Sequence, residues 1–347
     1  MTIWRHWMVG QLDASIVAGV LLLVAILARH RLSPRVRSLL LLIALIRLVL
    51  PPWIRSPWSE AVVDVPPIDE ARMMIAWGLQ WDVAMYAAAI TTGVSVFLLA
   101  RVAWTFATAE RRWLASTEPL SIPLAERIND FASASIVARP TFWGRSYGTA
   151  RFHSRTYTPL VTTMAIQVRL SRRGEGPLAV GLRRKLIILP ESVLRLDDAA
   201  IEAVLAHEIA HHERRDLAWI ALASALQAIA WFNPLAHVIA RALVAAREDG
   251  TDDWAVSRTS NDPFAYAQAL LQSARMVATP QPLGAAGAHP MGRRLQRLLD
   301  GQAAREGRLG VAGFVIILLA AAAVIPGAHM PSLSDGEQRI VVVIKRF

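Results

Sequence analysis

Apolar residues in this chain gather into long runs broken by arginine-rich segments, not into the short alternations of a soluble sheet protein. Four runs, at 14–28, 36–50, 83–100 and 309–325, predict membrane-spanning helices. The first two are short against the ~20 residues a bilayer usually needs, so flanking residues or local thinning must supply the rest. Arg29, His30, Arg31, Arg35 and Arg37 follow the first run. A signal peptide carries its positive charge before its apolar core, so this run reads as a span and its basic loop as cytoplasmic.

The remaining topology follows by parity. Trp4, Trp7, Trp53 and Trp58 mark an outer interface, and the Pro-rich loop at 51–72, with Glu60, Asp64, Asp69 and Glu70, lies outside. The third run returns the chain to the cytoplasm at Arg101, Arg111 and Arg112. Residues 105–308 form a large intracellular part, and Arg293, Arg294, Arg297, Arg305 and Arg308 precede the fourth run. That leaves a short extracytoplasmic tail at 326–347, too small for a domain, with one strand-like stretch at 340–344.

Composition sharpens this picture. The 347 residues are 54% hydrophobic, with a mean hydropathy of +0.37 and a pI near 11.0. The net charge is +10, and all 37 basic Lys/Arg positions except Lys185 and Lys345 are arginine. We assign the excess to cytoplasmic loops and contact with anionic lipid, and expect no direct nucleic-acid partner, because no aromatic-basic nucleic-acid motif accompanies it. Cysteine is absent, which removes disulfides and thiolate ligands and leaves histidine and carboxylate as the strong metal ligands.

Within the intracellular part, residues 134–190 read as short strands and turns, the best being 186–189, closed by Pro190. Asp197 then reads as the N-cap of a helix with Asp198 in its first turn, and the remainder reads helical. The apolar stretch 217–232 is a buried helix, an interfacial helix, or one arm of a hairpin returning through 235–246, with Asn233-Pro234 at the turn.

The capped helix carries His207-Glu208-Ile209-Ala210-His211. Positions i and i+4 lie on one helix face, so both imidazoles can reach one metal ion with Glu208 beside them. A catalytic zinc takes three protein ligands and leaves one position open. Glu248 is the expected third ligand, and His₂Glu with a vacancy suits Zn2+ best. Asp252, four residues on, would share a helical face with Glu248 and hydrogen-bond the far nitrogen of a ligand histidine, although Gly250 between them weakens a helix. The chemistry implied is peptide hydrolysis: the ion activates water, and Glu208 accepts a proton and passes it to the leaving amine. His237, Arg247 and Tyr266 are candidates for the donor that meets the developing oxyanion or the substrate. Strand 186–189 could pair with an extended substrate.

Other polar residues receive plainer readings. His212 points about 100° away from His211 and reads as solvated or capping. His6, His30, His153, His289 and His329 read as surface or interface residues. Arg214-Arg215 would meet lipid headgroups or water, and Asp216 would cap or pair with an arginine. Arg47, inside the second run, would snorkel to the outer face.

Several segments together resemble the membrane metallopeptidase part of bacterial β-lactam sensor-transducers, the antirepressor peptidase family. They are Leu205-Ala206-His207-Glu208-Ile209-Ala210-His211 with Arg214-Arg215-Asp216, then Trp231-Phe232-Asn233-Pro234-Leu235, then Arg247-Glu248 with Asp252-Asp253. Gly181-Leu182, Ile187-Ile188-Leu189-Pro190, Arg293-Arg294-Leu295 and Leu298-Leu299 fit as well, so the likeness covers about residues 80–310. It implies a gluzincin-like zinc peptidase between the third and fourth spans, with His207, His211 and Glu248 as ligands and Glu208 as base. It also implies that an outside signal activates cytoplasmic proteolysis of the protein itself, of a transcriptional repressor, or of both. The chain departs from the family in lacking a Ser-x-x-Lys nucleophile, since neither Lys185 nor Lys345 has a serine three residues before it. It also has Gly250-Thr251 where family members commonly have a small residue and Cys.

The expectation is therefore a multi-pass α-helical protein of the bacterial cytoplasmic (inner) membrane with both termini extracytoplasmic. Residues 1–104 would carry three spans, 105–308 an intracellular α+β zincin-like metallopeptidase domain, and 309–325 the fourth span. It would cut a cytoplasmic regulatory protein, and the acidic loop and tail could receive a separate sensor protein. Two alternatives are a constitutive quality-control metalloprotease and a non-catalytic signalling scaffold. Constitutive turnover of an unfolded substrate would favour the first, and a metal-free protein the second.

Overall fold

A computed structural model describes residues 2–50, 70–121, 128, 166–172, 176–259, 262–275, 291–301 and 311–324. Most of the outer loop, the strand-like stretch at 134–165, His153, His289, His329, the 340–344 strand and the side chain of His6 lie outside the described residues.

The chain opens with α1 (Thr2–Leu27), α2 (Pro34–Val49) and the long α3 (Glu70–Ser116). Ser33 caps α2 through a hydrogen bond from Val36 N, and Pro34 sits in the first turn, where its missing N–H costs nothing. Among the described residues, two helices are long and apolar enough to cross a membrane, α1 over Gly10–Leu27 and α3 over Met85–Ser116. Of the other two expected spans, α2 has 16 residues and the described part of α9 (Val311–Val324) has 14. In α2 the apolar residues are largely used inside the protein: Leu40, Leu41, Ala44, Leu45 and Leu48 are buried.

Four strands follow: β1 (Glu118–Pro119), β2 (Ile166–Ser171), β3 (Leu178–Val180) and β4 (Lys185–Pro190), in sheet order β1-β2-β4-β3. β2 runs parallel to β4 with Val168 opposite Ile187, while β1 pairs antiparallel with β2 and β3 antiparallel with β4. Gly181, at φ +94, begins the turn from β3 to β4, where a Cβ would overlap the Arg184 carbonyl oxygen. β4 is apolar without alternation because both its faces are covered. Ile187 and Leu189 face a core shared with Ile201, Leu205 and Ile209, whereas Leu186 and Ile188 meet Trp113 and Leu114 of α3. β4 is also flanked by a strand on each side, so the backbone of 186–189 has no open edge for a substrate. This corrects the expected pairing: among the described residues the edges belong to β1 and β3.

After a short 3-10 turn (Glu191–Arg195) come α4 (Asp198–Glu213), α5 (Asp216–Ile229), α6 (Pro234–Arg258), α7 (Pro263–Arg275), α8 (Met291–Leu299) and α9. Asp197 caps α4 by accepting from Ala200 N at 2.8 Å. α5 and α6 form a helical hairpin, with Asn233 accepting from Leu235 N and Pro234 opening the second arm. Apolar residues of α1, α2, α5, α6 and α9 make one cluster, and those of the sheet, α4, the end of α6, α7 and α8 another. α6 therefore belongs to both: Ile239 and Leu243 lie in the helical layer, and Trp254 and Val256 in the α+β core.

Two plain readings are corrected by burial. Arg47 does not snorkel, because its side chain is fully buried and paired with Asp13 of α1. Arg214 meets neither lipid nor bulk water, since its side chain is 6% exposed and lies beside Asp216. Arg215 alone of that pair is exposed.

Candidate metal centre

α4 carries His207 and His211 one turn apart on one face. Their rings stand edge to face with centroids 4.9 Å apart, as the i, i+4 spacing requires. Glu208 is also buried. The facing carboxylate comes from α6. Glu248 Oε2 lies 3.6 Å from His207 Nε2, and its Oε1 lies 3.7 Å from His211 Nε2. One ligand atom from each of His207, His211 and Glu248 falls within 4.8 Å of the others. Ligands about 2.0–2.1 Å from a tetrahedral ion stand roughly 3.3 Å apart, so a small contraction closes this set around one metal.

The far side of each ring decides its tautomer. His211 Nδ1 lies 3.1 Å from Asp216 Oδ2. His207 Nδ1 lies 2.8 Å from Tyr266 Oη, and Tyr266 in turn donates to Asp252 Oδ1 at 3.0 Å. Asp252 Oδ1 is itself 3.3 Å from His207 Nδ1. With Nδ1 protonated toward these acceptors, both Nε2 lone pairs aim at the Glu248 side, which is how carboxylates behind ligand histidines act. The donor set, two aimed imidazoles and one carboxylate, fits a metal ion of the zinc type.

The carboxylates around the centre are held ionised. Burial pushes the Glu248 carboxyl up, but His211, His207 and Arg294 outweigh it and hold it down to about 2. Burial likewise works against the Asp216 and Asp252 carboxylates, and both are held well below the carboxylate range, Asp216 by His211 and Arg247 and Asp252 by Arg294 and His207. The second layer is thus anionic where it meets the rings.

The stretch 155–298 matches the peptidase family described as BlaR1 peptidase M56. The chain carries a BlaR1-like M56 peptidase domain. It is similar to the regulatory protein BlaR1 of Staphylococcus aureus, with 23% identity over 110 residues. That alignment spans 31% of this chain and 19% of the relative. The family is metal-dependent, and every side chain of the centre just described lies within the matched stretch.

The M56 domain also places the three proposed oxyanion donors, and none projects freely into the His–His–Glu set. Tyr266 is behind His207, as above. Arg247 pairs with Asp216, donates to the Arg214 carbonyl at 2.7 Å, and stacks 4.9 Å over Trp219. His237 spends one ring nitrogen on Gln227 and the other on the Trp231 carbonyl.

The group that sequence reasoning missed is Arg294 of α8. It donates to Asp252 through Nε at 2.9 Å and Nη2 at 2.6 Å, and its Nη1 lies 3.3 Å from Glu248 Oε2. Its Nη2 also lies 3.4 Å from His207 Nε2. The arginine pair at 293–294 reads in sequence as the basic flank of a span. Its separating signal is the amphipathic pattern of α8, with Arg294 and Leu298 buried on one face. Of the two readings offered for Asp216, capping or pairing with an arginine, the structure has the pairing, with Arg247, and adds the contact to His211. His212 is corrected too: it is buried, not solvated, and its Nε2 lies 2.8 Å from the Leu186 carbonyl, tying α4 to β4.

Proposed function

We propose that this protein is a membrane zinc metalloendopeptidase whose M56 domain cuts a cytoplasmic regulatory protein, such as a transcriptional repressor, and itself, in response to an envelope signal. The observation that carries this reading is the convergence of His207 Nε2, His211 Nε2 and Glu248 on one point, with each Nδ1 tied to a buried acidic network. A scaffold without catalysis has no need to orient both rings.

When bound, the ion supplies Lewis-acid polarisation of a peptide carbonyl and activation of water. His207, His211 and Glu248 would hold it. Glu208, one residue from the first ligand, accepts the proton of the attacking water and returns it to the leaving amine. Arg294 fixes Glu248 and Asp252 and supplies positive charge at the edge of the centre where carbonyl oxygen charge develops. An extended substrate would add to an open sheet edge such as β3, since β4 is enclosed.

Topology belongs to the same proposal. The spans would be α1 to α3 and α9, with the arginine-rich connections and the M56 domain in the cytoplasm and the termini outside the inner membrane. The likeness to BlaR1, a regulatory protein, supports a signalling role over general protein turnover.

The test is a survey of new protein N-termini in cells carrying the native chain or its Glu208→Gln form. Termini present only with Glu208 establish proteolysis and name the substrate. Cleavage that persists with Glu208→Gln at full rate removes the proposed mechanism.

A further inference from the structure

Outside the metal centre, the loop between α1 and α2 and one face of α8 enclose a cleft of about 340 Å3. Five arginines line it, Arg29, Arg31, Arg37, Arg293 and Arg297, against two carboxylates, Asp249 and Asp300. Asp249 meets two of these arginines through one oxygen, while its Oδ1 is buried with no hydrogen-bond partner among the described residues. Its Oδ2 accepts from Arg37 Nη1 at 2.9 Å and stands 3.8 Å from Arg293 Nη2. Arg297 is engaged elsewhere, with Asp253 and the Asp249 carbonyl. Two guanidinium nitrogens in the cleft, Arg37 Nε and Arg293 Nη2, are buried with no hydrogen-bond partner among the described residues, and the Arg37 side chain is only 9% exposed. Burial and the nearby Arg37, Arg29 and Arg297 lower the affinity of Arg293 for its own proton, with Asp249 only partly offsetting them. Crowded like charges with unfilled donors are costly, even with the Arg293 side chain 40% exposed, and an anion supplies what they lack.

The position of the cleft narrows the anion. Arg29 stands two residues beyond Leu27, the end of the apolar window of α1. Along that window Leu12, Ile16, Val20, Leu23 and Leu27 are exposed at helical spacing, a face suited to acyl chains. With α1 spanning the membrane as proposed above, the cleft opens at the headgroup layer. Arginine forks bind phosphate oxygens in bidentate fashion.

α8 joins this cleft to the metal centre. Arg293 and Arg297 face the cleft, while Arg294 between them holds Asp252 and Glu248. We propose that the cleft binds the phosphate of an anionic phospholipid headgroup, and that the bound headgroup fixes α8 and with it Arg294. The inference concerns lipid and does not depend on proteolysis.

The experiment uses the full chain, purified and delipidated, in nanodiscs of phosphatidylcholine with or without phosphatidylglycerol. Native mass spectrometry counts retained phosphatidylglycerol, and amide hydrogen exchange follows 291–299. Removing three surface arginines should weaken retention by roughly 100-fold. The R29Q/R31Q/R293Q chain should show that loss, and α8 should exchange more slowly with phosphatidylglycerol than without it only in the native chain. Arg29 and Arg31 are exposed loop residues, so R29Q/R31Q carries the test if the triple variant fails to fold. Equal retention by native and variant chains overturns the site. Exchange in 291–299 that ignores lipid composition overturns the coupling. Equal protection of α8 by soluble glycerol phosphate in phosphatidylcholine discs overturns the lipid assignment in favour of free phosphate.

Discussion

Asp216 reaches back across a helix corner to His211, its Oδ2 standing 3.1 Å from the ring Nδ1. The corner is made by Arg215, the single non-glycine residue with positive φ (+55) among those described. That left-handed step ends α4, starts α5, and folds Asp216 under the ring five residues before it. Thr251 also donates to Asp216 Oδ2, at 2.7 Å, and Arg247 pairs with its other oxygen. Asp216→Asn keeps the shape and removes the charge. We expect zinc affinity to fall about 10- to 100-fold, the usual effect of losing a carboxylate behind a ligand histidine. Asp216→Ala should in addition destabilise the protein by about 3–5 kcal/mol, because Arg247 is left buried and unpaired. Chelator competition measures the first effect and thermal unfolding in detergent the second.

Arg294→Lys keeps a positive charge but loses the fork that grips both oxygens of Asp252. A charge-assisted hydrogen bond contributes about 1.5–3 kcal/mol, so cleavage of a substrate peptide should fall at least tenfold. Zinc stoichiometry should stay at one ion per chain, since none of the three proposed ligands is touched. Unchanged cleavage would leave Arg294 with a purely packing role.

The sequence makes the centre legible to different degrees. His207, Glu208 and His211 are local: four residues of helix fix their geometry, and the pattern announces it. Glu248 and Asp252 are farther along but still follow from an i, i+4 pair on one helix. Arg294 and Asp216 were harder. Each is an ordinary charged residue until the fold shows what it touches, and both sit in arginine-rich segments that membrane topology already explains. The sheet shows the same limit. The unbroken apolar run 186–189 announces a buried strand, but not that strands flank it on both sides, because pairing partners at 166–171 and 178–180 leave no mark on β4 itself.

Gly250 looks like a weak point in α6 and is instead a point of close approach. The helix runs unbroken through it, and a Cβ there would overlap the Arg214 guanidinium, which is buried beside Asp216. In an open helix Gly→Ala stabilises by about 1 kcal/mol. Here we expect Gly250→Ala to destabilise by about 1–2 kcal/mol through the forced shift of Arg214. In the Arg214→Ala background the same substitution should regain its helix-propensity benefit. A double-mutant cycle by thermal unfolding reads the difference, and equal effects in both backgrounds would remove the steric account.

His212 gives the domain a specific sensitivity to acid. Burial lowers its pKa from 6.5 to about 4, helped by Lys185 and opposed by the bond to the Leu186 carbonyl. The folded state therefore declines a proton that the unfolded chain accepts between those two values. Its contribution to stability is complete above pH 6.5 and is lost as pH falls from 6.5 toward 4. At 1.36 kcal/mol per pH unit, the loss reaches about 3 kcal/mol. His212→Gln can still donate to Leu186 and does not titrate. The stability of the native chain relative to this variant should thus decline by about that amount between pH 7 and pH 4. His207 and His211, which acidic neighbours raise against burial, are present in both the native chain and the variant and so drop out of the difference. Paired unfolding curves at pH 7, 6, 5 and 4.5 decide it: a difference that stays level with pH would mean that the His212 ring is not kept neutral by its place against β4.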